Sequence, residues 1–219
     1  MPEPVGCIFE QEDGNLIAGC RSGLRTVPDG RLIVPLPPGP HPVRINDGKV
    51  DPQGRLVFGT MGYPNATPGV GALWRYDGNR LVKLRANLTI PNGLDWIDDG
   101  QTMLFIDTPN RVIKPCPYTP DGERLAWSAW RDTYNQDGLP DGMIATDEHI
   151  LVAMWSGGLI LQLNFTGTSR TLPVPARFAT SVVQHPDGDS ALVTTACPQK
   201  VRERRKHELG GAILRLAIT

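Results

Sequence analysis

Apolar runs of three or four residues, each set off by polar residues and a turn, recur along the whole chain. Leu16-Ile17-Ala18, Leu56-Val57-Phe58, Met103-Leu104-Phe105-Ile106, Ile150-Leu151-Val152-Ala153 and Ala191-Leu192-Val193 read as strands. A turn signal precedes each one: Asp13-Gly14, Gln53-Gly54, Asp99-Gly100, Asp147-Glu148-His149 and Asp187-Gly188. Counted between the glycines, with His149 standing in the fourth, the steps are 40, 46, 49 and 39 residues. A period of roughly 40–50 residues with several short strands per unit predicts the blades of a β-propeller. No stretch sustains a 3.6-residue periodicity, and the amphipathic helices that a parallel βαβ fold would need are missing. The 21 prolines and 24 glycines fit the same all-β reading.

Three pairs occupy equivalent places in this repeat. They lie in Asn46-Asp47-Gly48-Lys49-Val50-Asp51, Pro91-Asn92-Gly93-Leu94-Asp95-Trp96 and Pro140-Asp141-Gly142-Met143-Ile144-Ala145. When one unit repeats around an axis, equivalent positions converge on that axis. Oxygen-bearing side chains placed there build a site that no single repeat could build. Asn or Asp before Gly is also a frequent turn former. For a single pair the turn is the default reading, and matched positions favour the site for Asn92 and Asp141. Asp47, beside Asn46, is expected to cap or orient its loop.

Composition narrows the classes. At 219 residues and 40% hydrophobic the chain can bury a core, and one propeller domain over 1–219 is expected. A formal charge of -1 gives no electrostatic reason for a nucleic-acid or anionic-membrane partner. No run approaches the ~20 apolar residues of a membrane span. The start of the chain lacks a signal peptide's basic and apolar regions, so a cytoplasmic location is expected. Cys7, Cys20, Cys116 and Cys197 show no CxxC spacing and are expected to be reduced thiols. His41, His149, His185 and His207 lack metal-like spacing and sit mostly beside Pro or in turns. The basic run Lys200–Lys206 is expected to be a solvated loop. Trp74, Trp96, Trp127, Trp130 and Trp155 are expected to fill the core between blades, and Gly157-Gly158 to form a hairpin turn.

Several of these strings together resemble the regucalcin/gluconolactonase family. They are Arg44-Ile45-Asn46-Asp47-Gly48-Lys49-Val50-Asp51-Pro52 followed by Gly59-Thr60-Met61, and Pro91-Asn92-Gly93-Leu94-Asp95-Trp96 with Phe105-Ile106-Asp107 behind it. A third is Leu139-Pro140-Asp141-Gly142-Met143 with Val152-Ala153-Met154-Trp155 and Gly157-Gly158; a fourth is Thr180-Ser181 with Val193-Thr194-Thr195-Ala196. Gly210-Gly211-Ala212-Ile213 resembles the closing strand. The order and spacing hold from near Val5 to Ile218.

The resemblance implies a six-bladed propeller with one divalent cation, Ca2+ ahead of Zn2+ or Mg2+, and a sugar lactone as the small-molecule substrate. Carried over by motif, Asn92 and Asp141 would be metal ligands, and Asp141 would also assist water attack. Arg44 and Asn46 would hold substrate oxygens. Relatives that cleave other esters or phosphotriesters supply an alternative, and a non-catalytic calcium-binding or interaction propeller supplies another.

This chain also departs from the pattern. Six blades at this period need about 270 residues or more, and five repeats are present. Val5-Gly6-Cys7-Ile8-Phe9 resembles the opening of the family's second blade, so the first blade and its glutamate ligand are expected to be absent. Glu3 superficially resembles that glutamate, but its register belongs to the second blade. The loop Gly62-Tyr63-Pro64-Asn65 lacks an acidic residue found near the substrate in some members. A truncated lactonase and a closed five-bladed form both fit, with truncation favoured because the motifs keep their polar residues. An open blade edge would invite self-association.

Overall fold

Every apolar run lies in an antiparallel strand, because flanking glycines and Asp-Gly turns let the chain reverse at short intervals. The computed structural model describes residues 3–11, 13–119, 128–197 and 209–218. Contacts divide the chain into two compact units, Met1–Trp130 and Arg131–Thr219.

The first unit holds three sheets. β1 (Val5–Glu10), β2 (Leu16–Cys20), β3 (Gly23–Val27) and β4 (Leu32–Pro35) pair in sequence order. So do β5 (Val43–Val50), β6 (Leu56–Gly62), β7 (Gly71–Tyr76) and β8 (Leu81–Leu88). The third contains β9 (Pro91–Ile97), β10 (Thr102–Asp107) and β11 (Val112–Pro117), with the 3-10 turn Thr108–Asn110 joining the last two. The second unit begins with β12 (Arg131–Asp132). Its four-stranded sheet runs β13 (Leu139–Ala145), β14 (His149–Trp155), β15 (Leu159–Asn164) and β16 (Ser169–Pro173). A sheet of β17 (Ala179–Gln184), β18 (Ser190–Thr195) and β19 (Ile213–Ala217) completes it. These are five up-and-down blades of the propeller type.

The predicted turns join the first two strands of each blade. Gly14, Gly54, Gly100 and Gly188 take φ of 79°, 77°, 83° and 78°, a region that a side chain makes costly. The fourth blade has no glycine there. Instead Thr146 Oγ1 accepts the His149 N–H and donates to the His149 carbonyl, closing the turn with a side chain. His149, expected in a turn, is therefore the buried first residue of β14.

Each unit has its own apolar filling. Phe9, Ile17, Leu24 and Phe58 pack in one cluster of the first unit, and Val57, Leu73, Met103 and Phe105 in another. Leu151, Ile160, Ala179 and Val193 fill the second unit. Trp74 is buried in the first unit, Trp96 packs beside Tyr118, and Trp155 lies against Phe178. Trp127, His207 and the run Lys200–Lys206 lie outside the described residues. The four cysteines are free thiols. No helix among the described residues is long and apolar enough to cross a membrane.

One irregularity repeats in all five blades. The first strand of each loses register against the second near its start, between Val5 and Cys7, Ile45 and Gly48, Leu94 and Asn92, Pro140 and Met143, and Ala179 and Ser181. The Asn-Asp-Gly, Asn-Gly and Asp-Gly strings fall on these bulges rather than in turns. A bulge inserts an extra residue and re-aims side chains, which is why the strings sit inside strands. Missing Cβ atoms also let neighbouring blades approach. At Gly6 a Cβ would stand 2.4 Å from the Ile45 carbonyl oxygen, and at Gly142 it would stand 2.8 Å from that of Thr180.

Candidate functional site

In the first unit the bulges of β5 and β9 bring two predicted residues together. Asn46 Nδ2 donates to Asn92 Oδ1 and to the Pro91 carbonyl, both at 2.9 Å. Both partners are acceptors, which fixes the orientation of the Asn46 amide. Its Oδ1 is left without a hydrogen-bond partner among the described residues. Asn92 is 7% exposed, and its own Nδ2 donates to Thr108 Oγ1 at 2.7 Å. Both amides are thus fixed in orientation, and Asn92 Oδ1, which accepts one bond, keeps a second lone pair.

Asp107 supports this arrangement. It is buried and accepts the backbone N–H groups of Thr89 and Ile90, the latter at 2.7 Å, just ahead of β9. The Asp107-Thr108 pair carries both the loop anchor and the Asn92 anchor. Nothing in the residue pattern marks Thr108 for this role, since a Thr-Pro-Asn turn is common on its own.

Arg44 lies two residues before Asn46 on β5, and its Nη1 donates to the Ile45 carbonyl at 3.0 Å. Asp47 Oδ1 accepts the Gly48 N–H at 2.8 Å, the loop-orienting bond expected of it. Burial pushes the Asp47 carboxyl up to about 6, against the pull of the Gly48 N–H and the Lys49 charge. Nearby, burial raises the Cys7 thiol well above its usual range, with the Asp47 charge adding and Arg44 opposing. A thiol held protonated in this way is a poor nucleophile. Glu3 is taken up elsewhere, accepting from Ser22 N, Ser22 Oγ and Arg25 Nε.

Asp141 belongs to the second unit. It is half-buried on the β13 bulge, beside Gly142, whose missing Cβ lets β13 lie against Thr180 and Ser181 of β17.

The donor types suit a hard divalent cation. Such ions take amide oxygens, the kind Asn46 and Asn92 carry in the first unit, and carboxylate oxygens, the kind Asp141 carries in the second. A thiolate and imidazole set for a softer ion is not assembled, and no cluster of three or more His, Cys, Asp or Glu occurs among the described residues.

Comparison with known proteins follows the same lines. The family profile described as SMP-30/Gluconolactonase/LRE-like region matches residues 1–197. The pentonolactonase XacC of Haloferax volcanii is 34% identical over 192 residues, covering 85% of this chain and 65% of the relative. The 6-deoxy-6-sulfogluconolactonase of Pseudomonas putida is 30% identical over 190 residues, covering 83% and 65%. The chain thus spans 65% of the length of each. Among solved structures, the calcium-binding protein regucalcin from Agrobacterium tumefaciens superposes with a TM-score of 0.84 at 25% identity, over 99% of this chain and 76% of that one.

Proposed function

The chain belongs to the SMP-30/gluconolactonase/LRE-like family of β-propellers, and we propose that it hydrolyses a sugar lactone with the help of a bound divalent cation, Ca2+ first among the candidates. The observation that carries this reading is the Asn46–Asn92 pair. Two amides from matched bulges are oriented by Pro91 and Thr108, which leaves Asn46 Oδ1 without a partner among the described residues and Asn92 Oδ1 with one bond accepted. Sugar-lactone hydrolysis by relatives that match 83–85% of the chain supports it.

Asn92 and Asp141 are proposed as the cation's ligand residues. When bound, the cation would polarise the lactone carbonyl and stabilise the oxyanion as water adds. The chain's own groups do the rest. Asp141 accepts a proton from the attacking water. Asn46 Oδ1 accepts a hydrogen bond from a substrate hydroxyl, and the Arg44 guanidinium donates to substrate oxygens. Fixed amides lose little freedom when substrate arrives, which favours a well-placed carbonyl.

The test is hydrolysis of a panel of five- and six-membered sugar lactones by the purified chain, with added Ca2+, Mg2+ or Zn2+ and with chelator. Turnover above the spontaneous rate that chelator removes supports the proposal. Cation binding without any turnover would make the chain a binding propeller instead. Turnover of simple esters but not lactones would move it to another hydrolase class.

A further inference from the structure

In the second unit, an open cavity of about 730 Å³ lies at the strand ends where β13 turns into β14 and β17 into β18. Asp141 is the third residue of β13, whereas the cavity's Asp147 and Glu148 follow that strand's last residue. The cavity and Asp141 therefore sit at opposite ends of the same strand.

Its lining is mostly polar, with an exposed rim that includes Asp147, Glu148, Phe165 and Arg170 and a floor that includes the buried Gln162 and His149. Gln162 and His149 are 8% and 6% exposed. Gln162 Oε1 accepts Arg170 Nε at 2.7 Å, while its Nε2 has no hydrogen-bond partner among the described residues. His149 Nε2 is buried without a partner. A ligand that accepts from the Gln162 amide would supply the hydrogen bond that its Nε2 lacks. Around them, Gln184 donates to the Gly188 carbonyl, and Phe165 keeps 38% of its surface exposed.

Charge and shape select the ligand class. Asp147 and Glu148 outnumber Arg170, and burial keeps the His149 pKa low, so a phosphate or other polyanion is disfavoured. The volume is within the 300–1,000 Å³ usual for small-molecule sites, but the lining is richer in amides and charged groups than most. Amide, guanidinium and carboxylate groups offer paired donors and acceptors in planes. Adjacent hydroxyls, each both donor and acceptor, match that array, and an exposed aromatic ring suits the C–H face of a sugar. We propose that this cavity binds a neutral saccharide of one or two rings, separately from the proposed lactone site.

The experiment is ligand-observed NMR and calorimetry on the whole chain with neutral hexoses, pentoses and their di- and trisaccharides. Gluconate and inorganic phosphate serve as charged controls. Mono- and oligosaccharide arms distinguish a free sugar from the end of a longer chain. Saturable binding of a neutral sugar is expected, weakened about tenfold or more by Phe165→Ala and Glu148→Ala, a loss of about 1.4 kcal/mol, and unchanged by Asp141→Asn. Gln162→Leu should abolish it. Because that buried change risks misfolding, the two rim variants decide the matter. Folded protein that binds no neutral sugar overturns the proposal. So does preference for phosphate or gluconate, and so does binding that Asp141→Asn removes but Phe165→Ala leaves intact.

Discussion

The side-chain amide of Asn46 donates to the amide oxygen of Asn92 across 2.9 Å. The two residues are 46 positions apart, and so are Lys49 and Asp95, whose ion pair closes to 2.6 Å three residues further along the same two strands. The step equals the one between turn glycines Gly54 and Gly100. β5 and β9 therefore run in phase, and matched positions of neighbouring blades touch. That phase turns a sequence repeat into direct contact between polar side chains of neighbouring blades.

Asn46→Ala should weaken both the fold and the site. It deletes bonds to Pro91 and Asn92, each worth about 0.5–1.5 kcal/mol net. A drop of about 1–3 kcal/mol in denaturant unfolding is expected, with a raised KM for lactone. Unchanged stability would mean that the two bonds are not formed in solution.

Asp141→Asn should remove nearly all hydrolysis and most cation affinity, because it converts an anionic oxygen donor and proton acceptor into a neutral amide. Urea unfolding without cation reads the variant's stability separately from these losses. Calorimetry and a lactone assay read the two effects separately, and wild-type values in both would remove Asp141 from the proposed site.

Arg44→Ala should raise KM more than it lowers kcat if the guanidinium holds substrate equally in ground and transition states. Cation affinity should not change. A variant that loses the cation at unchanged KM would place Arg44 in a supporting role for the ligands instead.

The blades were legible because their signals are local. Asp-Gly turns followed by Leu-Val-Phe or Ile-Leu-Val-Ala depend on backbone freedom and strand propensity alone. The matched strings were legible, but they paired Asp47 with Asn92, one residue out of the register in which Asn46 meets Asn92, and Asn46 was singled out only through the family resemblance. What supports Asn46 and Asn92 was not legible. Thr108 reaches Asn92 from 16 residues away and Pro91 offers only a carbonyl, and neither leaves a mark in residue type. His149 was misplaced because counting it in a glycine's position hid the Thr146 side chain that closes the turn. The bulges escaped for a related reason. An Asn-Gly string favours turns and bulges alike, and only register against β10 tells them apart.

Asp47 gives the fold a pH dependence whose sign can be worked out. Burial raises its carboxyl from 3.8 to about 6. Between those values the folded chain holds the proton that the unfolded chain has released, so the folded state binds more protons and stability falls as pH rises. Above about pH 6 both states are ionised and this contribution levels off. The difference is on the order of 1–3 kcal/mol. Asp47→Asn keeps an oxygen for the Gly48 N–H but cannot ionise. Urea unfolding at about pH 4.5 and pH 8 should show the variant gaining on the wild type at the higher pH, and equal slopes for the two would contradict a raised Asp47.

Gly59→Ala joins packing to the site. A Cβ at Gly59 of β6 would stand 2.2 Å from Cβ of Pro91, far inside contact distance. The proline ring is rigid, so β9 must retreat at its first residue. That moves the Pro91 carbonyl away from Asn46 Nδ2 and pulls Asn92 with it. Overpacking of this kind costs about 1–3 kcal/mol, and the shift should also raise the lactone KM. Gly14→Ala is the matched control. Its Cβ meets nothing within 4 Å, but a φ of 79° makes alanine strained there, by about 1–2 kcal/mol. Both variants should therefore lose a similar amount of stability in denaturant unfolding, while only Gly59→Ala should change KM. Equal KM effects would mean that stability alone governs substrate binding; a selective rise at Gly59→Ala would tie the closeness of β6 and β9 to the placement of the Asn46–Asn92 pair.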